Sequence, residues 1–199
     1  MYSLSFLRKQ ESYNYLNMDL FNNTETIEKV KAKPFIKWAG GKTQLLPIFQ
    51  NYYPIELKLG LIDNYFEPFL GGASVFFDIV HNFKIKNSYL LDSNLEIVLI
   101  YTVVQQRVED LVYELSKMKK QYLKLEEKGR EAFFYNLRDK YNKNKHKISN
   151  NVEDYGIKRA SHTMFLNKTC FNGLYRLNKA GDFNVPFGRY TNPSIFDEC

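Results

Sequence analysis

With 199 residues, 44% of them apolar, the chain is long enough to bury one core, or one core plus a small inserted unit. No apolar run approaches the roughly 20 residues of a membrane helix, the N-terminus lacks the order of a signal peptide, and Cys170 and Cys199 stand far apart without a ligand cluster, so a cytoplasmic protein with neither a disulfide framework nor a zinc site is expected. The net charge of +6 is uneven: residues 1–106 carry 10 Lys/Arg against 10 Asp/Glu, whereas 107–190 carry 18 against 10, an asymmetry that suits a nucleic-acid partner or reflects a Lys- and Asn-rich composition alone.

Residues 1–33 are polar, Asn-rich and without sustained periodicity, and read as a poorly ordered leader in which Met18 is an alternative start. From Pro34 the texture changes. Phe35-Ile36-Lys37-Trp38-Ala39-Gly40-Gly41-Lys42 reads as a loop feeding a helix that carries Leu45, Leu46, Ile48 and Phe49. Asp63 to Phe69 is a short strand running into Gly71-Gly72, followed by a helix over Ala73 to His81. Asn87 to Leu91 is a second strand; it ends at Asp92, and Ser93 or Asn94 caps the next helix, with Ile97, Val98 and Tyr101. Strand, glycine turn, helix, strand, acidic residue, helix is the opening of a doubly wound α/β sheet.

Beyond Gln105 the pattern turns helical. Val108, Leu111, Val112, Leu115, Met118, Tyr122 and Leu125 recur every three or four residues, and further helices are expected near Glu131–Tyr141 and Glu153–Leu166, with a polar loop over 142–151. Leu174–Leu177 and Asp182–Val185 flank Asn178-Lys179-Ala180-Gly181, which predicts a β-hairpin presenting Arg176, Lys179 and Arg189.

Gly41-Lys42-Thr43 is not a phosphate loop, because that motif needs a glycine where Ile36 stands. Gly71-Gly72 followed by Asp92 has the spacing of a cofactor site at the carboxyl edge of a sheet: small residues admit the ligand, and an acid about 20 residues on takes ribose hydroxyls. The sequence is not the dinucleotide pattern, and spacing alone also fits a tight turn and an ordinary helix cap.

Three blocks together resemble the Dam-type family of DNA adenine methyltransferases: PFIKWAGGK (34–42), YFEPFLGGASVFF (65–77) with Asp92, and NKTCFNGLYRLNKAGDFNVPFGRYTNP (167–193). The resemblance spans about residues 34–198. It implies an incomplete Rossmann-like methyltransferase sheet (34–104 and 191–199) interrupted by a helical target-recognition domain with a β-hairpin (105–190), acting on adenine N6 in double-stranded DNA, typically within GATC. It assigns S-adenosylmethionine to Trp38, Lys42 and Asp92, with Glu67, Gly71 and Gly72 as the floor of the pocket. An indole offers a flat face, an ammonium pairs with the methionine carboxylate, and a carboxylate accepts ribose hydroxyls. On the DNA side it implies Lys37 and Arg176 as guanine readers, and the segment Phe171, Asn172, Gly173, Leu174 as the loop pressing into the duplex. Pro186 belongs to the same block, and Arg189 is assigned to a phosphate.

The family's later Asp-Pro-Pro-Tyr motif, which holds the target amine, has no counterpart here: the prolines stand at 34, 47, 54, 68, 186 and 193, and no two are adjacent. No catalytic residue is therefore assigned, and a truncated or split enzyme with little turnover alone is expected. The alternative is a DNA-binding or regulatory remnant without chemistry. A second chain carrying the missing C-terminal part, and a cognate restriction endonuclease, are the further partners left open by the resemblance.

Overall fold

Strand β2 (Asn64–Glu67) and strand β3 (Asn87–Asp92) pair in parallel, from Asn64 opposite Asn87 to Glu67 opposite Leu90, with helix α3 (Ser74–Asn82) as the crossover between them. That crossover is what two parallel neighbours require, since a tight turn can join only antiparallel ones. The computed structural model describes residues 2–7, 32–145 and 152–196. Most of the expected leader (8–31), part of the expected loop (146–151) and residues 197–199 lie outside the described residues. In β3 Ser88, Leu90 and Asp92 are buried and alternate with half-buried neighbours, as a strand between two layers should.

One strand escaped the sequence reading. Tyr2–Leu7, inside the segment whose composition predicts a poorly ordered leader, forms β1 and runs antiparallel along β3, with Tyr2 opposite Asp92, so the order is β1-β3-β2. Tyr2, Leu4 and Phe6 do alternate with Ser3 and Ser5, but six residues of period two are lost in the Asn-rich stretch behind them. The helix expected over Leu45–Phe49 is also shorter than its pattern. Thr43–Leu45 is a 3₁₀ turn, α1 covers only Leu46–Phe49 around Pro47, and α2 (Ile55–Lys58) follows Pro54. Leu45, Ile48, Tyr52, Ile55, Leu59, Leu61, Phe66 and Phe69 are exposed.

Helix α4 (Leu95–Gln106) starts where Asn94 Oδ1 accepts from the Glu96 amide at 2.9 Å, and its residues from Glu96 to Val103 are all buried. A helix buried on every face must lie between layers. It contacts β1 and β3 and also α5 (Val108–Leu123) and α7 (Asp154–Thr169). Helix α6 (Glu127–Lys143) completes the helical layer against α5 and α7. In α5 the buried stripe is Leu111, Leu115, Met118 and Tyr122; Val108, Val112 and Leu125, which the periodicity also places in the core, are exposed. One apolar core runs from Ile36 and Leu90 through α4 to Phe134, Phe165 and Phe187.

After α7 the chain makes a 3₁₀ turn at Phe171–Gly173 and folds back as the predicted hairpin, without regular strands. Isolated bridges join Leu177 to Phe183 and Cys170 to Phe187, and the turn closes by Asn178 N to Asp182 O and Gly181 N to Asn178 O, each 2.9 Å. Gly181 takes φ +78°, the left-handed conformation expected of it. Side chains replace part of the ladder: Asn142 on α6 accepts from the Phe183 amide (2.8 Å) and donates to its carbonyl (3.1 Å).

Candidate cofactor cavity and nucleic-acid face

Asp92 ends β3, and its two oxygens pin the loops leaving both parallel strands. Oδ2 accepts from the Gly71 amide at 2.9 Å and Oδ1 from the Asn94 amide at 2.8 Å. Each oxygen retains acceptor capacity for a further donor. Gly71 sits at φ +48°, and a Cβ there would fall 2.9 Å from Trp38 Cδ1, so backbone conformation and the close approach of the indole both call for glycine. Ala73, buried at the start of α3, holds φ +58° without being glycine. Across the loop, Gly41 N closes a turn on Trp38 O, and the Lys42 amide donates to Ser74 Oγ at 3.1 Å, seating residues 38–42 beside the first turn of α3.

These contacts enclose a cavity of about 300 Å³ bordered by Trp38, Gly40, Gly41, Lys42, Glu67, Phe69, Gly71, Gly72, Ser74 and Asp92. All six residues that the resemblance assigns to a cofactor, Trp38, Lys42, Glu67, Gly71, Gly72 and Asp92, line this one space. A larger cavity of about 680 Å³, between α5 and α6 with His162 of α7 at its wall, contains none of them. His162 is held neutral there by burial and by the nearby cations Arg159, Lys140 and Lys158, which push its imidazole down to about 4.

Glu67 is 8% exposed and accepts from Tyr65 Oη at 2.8 Å. Burial pushes its carboxyl above the ordinary value, against the opposing effects of the Tyr65 hydrogen bond, Lys42 and a backbone contact from Phe76. A raised acid binds its proton more tightly folded than unfolded, so its contribution to stability is present at low pH and is lost as pH rises through the folded-state value. Glu67→Gln is therefore expected to be more stable than the parent at neutral pH, with the difference shrinking on acidification. Urea denaturation at several pH values checks this; a constant difference would contradict it.

The seven residues assigned to DNA are all exposed: Lys37, Phe171, Asn172, Leu174, Arg176, Pro186 and Arg189. Several are tied together by the backbone. Phe171 N donates to Pro186 O at 2.9 Å, and Gly173 lies so close to Lys37 that a Cβ would meet its Cδ at 2.3 Å. Asn184 Oδ1 accepts from Arg176 Nε at 2.9 Å, which orients the guanidinium; among the described residues its two terminal nitrogens have no partner and can fork. Asn172 and Arg189 hold φ +56° and +53°. Asparagine visits that region readily; for arginine it costs roughly 1–2 kcal/mol. The Arg189 guanidinium is 4.0 Å from Glu127, with both side chains largely solvated.

Three supporting residues were not singled out from sequence. The Asn167 side chain, fully buried, grips Lys37 from both sides, accepting from its amide and donating to its carbonyl, each at 2.9 Å, while Nδ2 also reaches Gly173 O at 2.9 Å. Arg159 on α7 forms a buried ion pair with Glu96 on α4 and lies 3.4 Å from the Tyr141 ring centroid. Tyr175 stacks on Trp38 at 4.8 Å and 26°, its hydroxyl 3.2 Å from that of Tyr141. The block 167–193 contains Asn167 and Tyr175, but nothing in one dimension says what they touch.

A family model described as D12 class N6 adenine-specific DNA methyltransferase matches residues 38–199. The Type II methyltransferase M.MjaIII of Methanocaldococcus jannaschii is 47% identical over 169 residues, which are 85% of this chain and 56% of that protein. The Type II methyltransferase M1.LlaDCHI of Lactococcus lactis subsp. cremoris is 33% identical over 175 residues, covering 85% and 52%. The DNA adenine methylase of Escherichia coli K12 is 32% identical over 163 residues, covering 82% and 50%. The chain spans about half the length of the curated relatives it matches.

Proposed function

This chain belongs to the D12 class N6 adenine-specific DNA methyltransferases, and from that premise we propose that it forms the S-adenosylmethionine-binding and target-recognition part of an enzyme that methylates adenine N6 within GATC. The observation that carries the reading is the meeting of Trp38, Lys42, Glu67, Gly71, Gly72 and Asp92 around one cavity. Their chemistry suits the ligand. Glycines admit a nucleoside, the spare acceptor sites of Asp92 take ribose hydroxyls, Lys42 pairs with the methionine carboxylate, and Glu67 offers negative charge to the cationic end. S-adenosylmethionine supplies the electrophilic methyl group when bound. Trp38 orients it, since Tyr175 holds the indole plane.

On the opposite task, the Arg176 fork reads guanine O6 and N7 while Asn184 holds it in plane, and Lys37 contributes a second contact. Arg176→Ala is expected to weaken specific binding by roughly 1–3 kcal/mol and relax preference at one guanine. Unchanged sequence preference in a competition assay would remove it from the base-reading set. Arg189→Gly relieves the left-handed backbone and removes a charge, so folding stability should hold or rise while all duplexes bind more weakly, with a salt dependence reduced by about one ion. A change in sequence preference with an unaltered salt slope would contradict the phosphate assignment.

The adenine amine needs hydrogen-bond acceptors beside it to attack a sulfonium methyl, because its lone pair is delocalised into the ring. In this class those acceptors come with the Asp-Pro-Pro-Tyr motif, which is not among the 199 residues. We therefore assign binding to these residues, and methyl transfer to a molecule in which they stand together with that motif. Strand β2, at one border of the described sheet with Phe66 and Phe69 exposed beside it, is the place to receive the added strands. The test is a titration of S-adenosylmethionine into the purified chain with and without GATC duplex, then transfer from labelled cofactor. We expect cofactor binding, no transfer alone, and transfer once a Asp-Pro-Pro-Tyr-bearing C-terminal part is supplied. A folded chain that binds no S-adenosylmethionine overturns the reading; if such a chain still binds DNA, a regulatory remnant is favoured instead.

A further inference from the structure

Tyr175 sits between the two sites. Its ring stacks on Trp38, which lines the cofactor cavity. Its backbone lies between Leu174 and Arg176, both on the exposed nucleic-acid face. Its hydroxyl is paired with that of Tyr141, a residue 2% exposed whose own ring carries the Arg159 guanidinium. This one residue therefore joins the wall of the cavity, the start of the reading hairpin and a buried anchor in the helical layer.

We propose that Tyr175 is a positioning residue that couples the two sites, so that S-adenosylmethionine and target duplex each bind more tightly when the other is present. The inference rests on the function proposed above. A ligand packed in the cavity restricts the Trp38 indole, and the indole restricts the plane of the ring stacked on it. Because the far end of that ring is hydrogen-bonded to Tyr141, the side chain does not swing about its Cα–Cβ bond to absorb the restriction, which passes to the backbone at 174–176, where Arg176 must be held in register with a base edge. The ordering cost is then met once for both ligands, and linkage makes the benefit reciprocal. Asn167 ties the same segments through Lys37 and Gly173 by hydrogen bonds to their backbone, which a ligand packed against the Trp38 ring does not meet. They supply rigidity, and Tyr175 supplies the contact that a ligand at Trp38 can bias.

Trp38 is the only tryptophan of the chain, so its emission reports the cavity directly. The experiment titrates S-adenosylmethionine with and without saturating GATC duplex, following that emission, and titrates labelled duplex with and without saturating S-adenosylmethionine, following anisotropy. The parent chain is expected to show the same coupling factor in both directions, about tenfold, within the usual range for linked sites. Tyr175→Leu removes the stack and should bring the factor below about twofold. Tyr175→Phe keeps the stack and loses the hydroxyl pair, and should leave a factor of about threefold. Each factor compares two affinities of one variant, so a merely structural loss would not move it. If the leucine variant does not fold, the phenylalanine variant decides, and an undiminished factor there overturns the inference. A parent chain that binds both ligands without coupling overturns it alone. A parent chain that binds neither overturns the proposed function as well.

Discussion

Arg159→Ala should lower folding stability by about 3–5 kcal/mol, the range found when one partner of a buried ion pair is removed. The two side chains are only 3% and 5% exposed. Arg159 Nε bonds Glu96 Oε1 at 3.0 Å, its terminal nitrogen bonds the same oxygen, and Thr163 Oγ1 donates to Oε2 at 3.2 Å. With the guanidinium gone, a carboxylate remains in the core between α4 and α7 with one hydroxyl as its donor, and Tyr141 loses the cation on its face. The double substitution Glu96→Leu with Arg159→Met should recover most of the loss, because the cost comes from the charge left behind. Urea denaturation of Arg159→Ala and of the double variant makes the comparison. A double variant as unstable as Arg159→Ala would show that the charge pair itself, and not the orphaned carboxylate, carries the stability.

Asn167→Ala should have the second largest effect, about 2–4 kcal/mol in stability together with at least a tenfold loss of specific DNA binding. One amide satisfies three backbone groups, the amide and carbonyl of Lys37 and the carbonyl of Gly173. Buried polar groups left without partners cost about 1–3 kcal/mol each, and water can relieve those near the exposed Lys37 side chain. DNA binding suffers further because Lys37 and the Phe171–Gly173 turn are no longer held at a common distance. Anisotropy with GATC and scrambled duplexes, beside a denaturation curve, checks both effects. Wild-type affinity in a folded variant would show that the turn keeps its place without the clamp.

The arrangement around the cavity was readable because its rule is local. A glycine pair after a strand and an acid at the end of the next strand are set by a spacing of 21 residues, and the hydrogen bond from Gly71 to Asp92 is what that spacing makes possible. Helix α4 was likewise marked by a cap at Ser93 or Asn94, of which Asn94 is the one used, and by Ile97, Val98 and Tyr101 behind it. What stayed illegible was contact between distant segments. Arg159 was counted with the surplus of cations beyond residue 107, yet it is spent on Glu96, 63 residues earlier, and Lys145 is paired with Asp182. The clamp of Asn167 on Lys37 crosses 130 residues. The hairpin was found by its turn residues, but its strands were overstated, since alternation does not reveal that Asn142 takes over part of the pairing. The apolar positions at 45–49 obey helical spacing, but Pro47 marks only where the helix begins, and the chain leaves it again after Phe49.

The apolar side chains between residues 45 and 69 also govern how a preparation of this chain behaves in bulk. Tyr52, Leu61 and Phe69 are 80%, 70% and 74% exposed, hydrocarbon that favours self-association over hydration. The only general opposition is mutual repulsion from a net charge of +6, which added electrolyte screens. Dilute buffer should keep the solution clear and concentrated salt should cloud it, the reverse of the usual remedy for a protein that clings to polyanions.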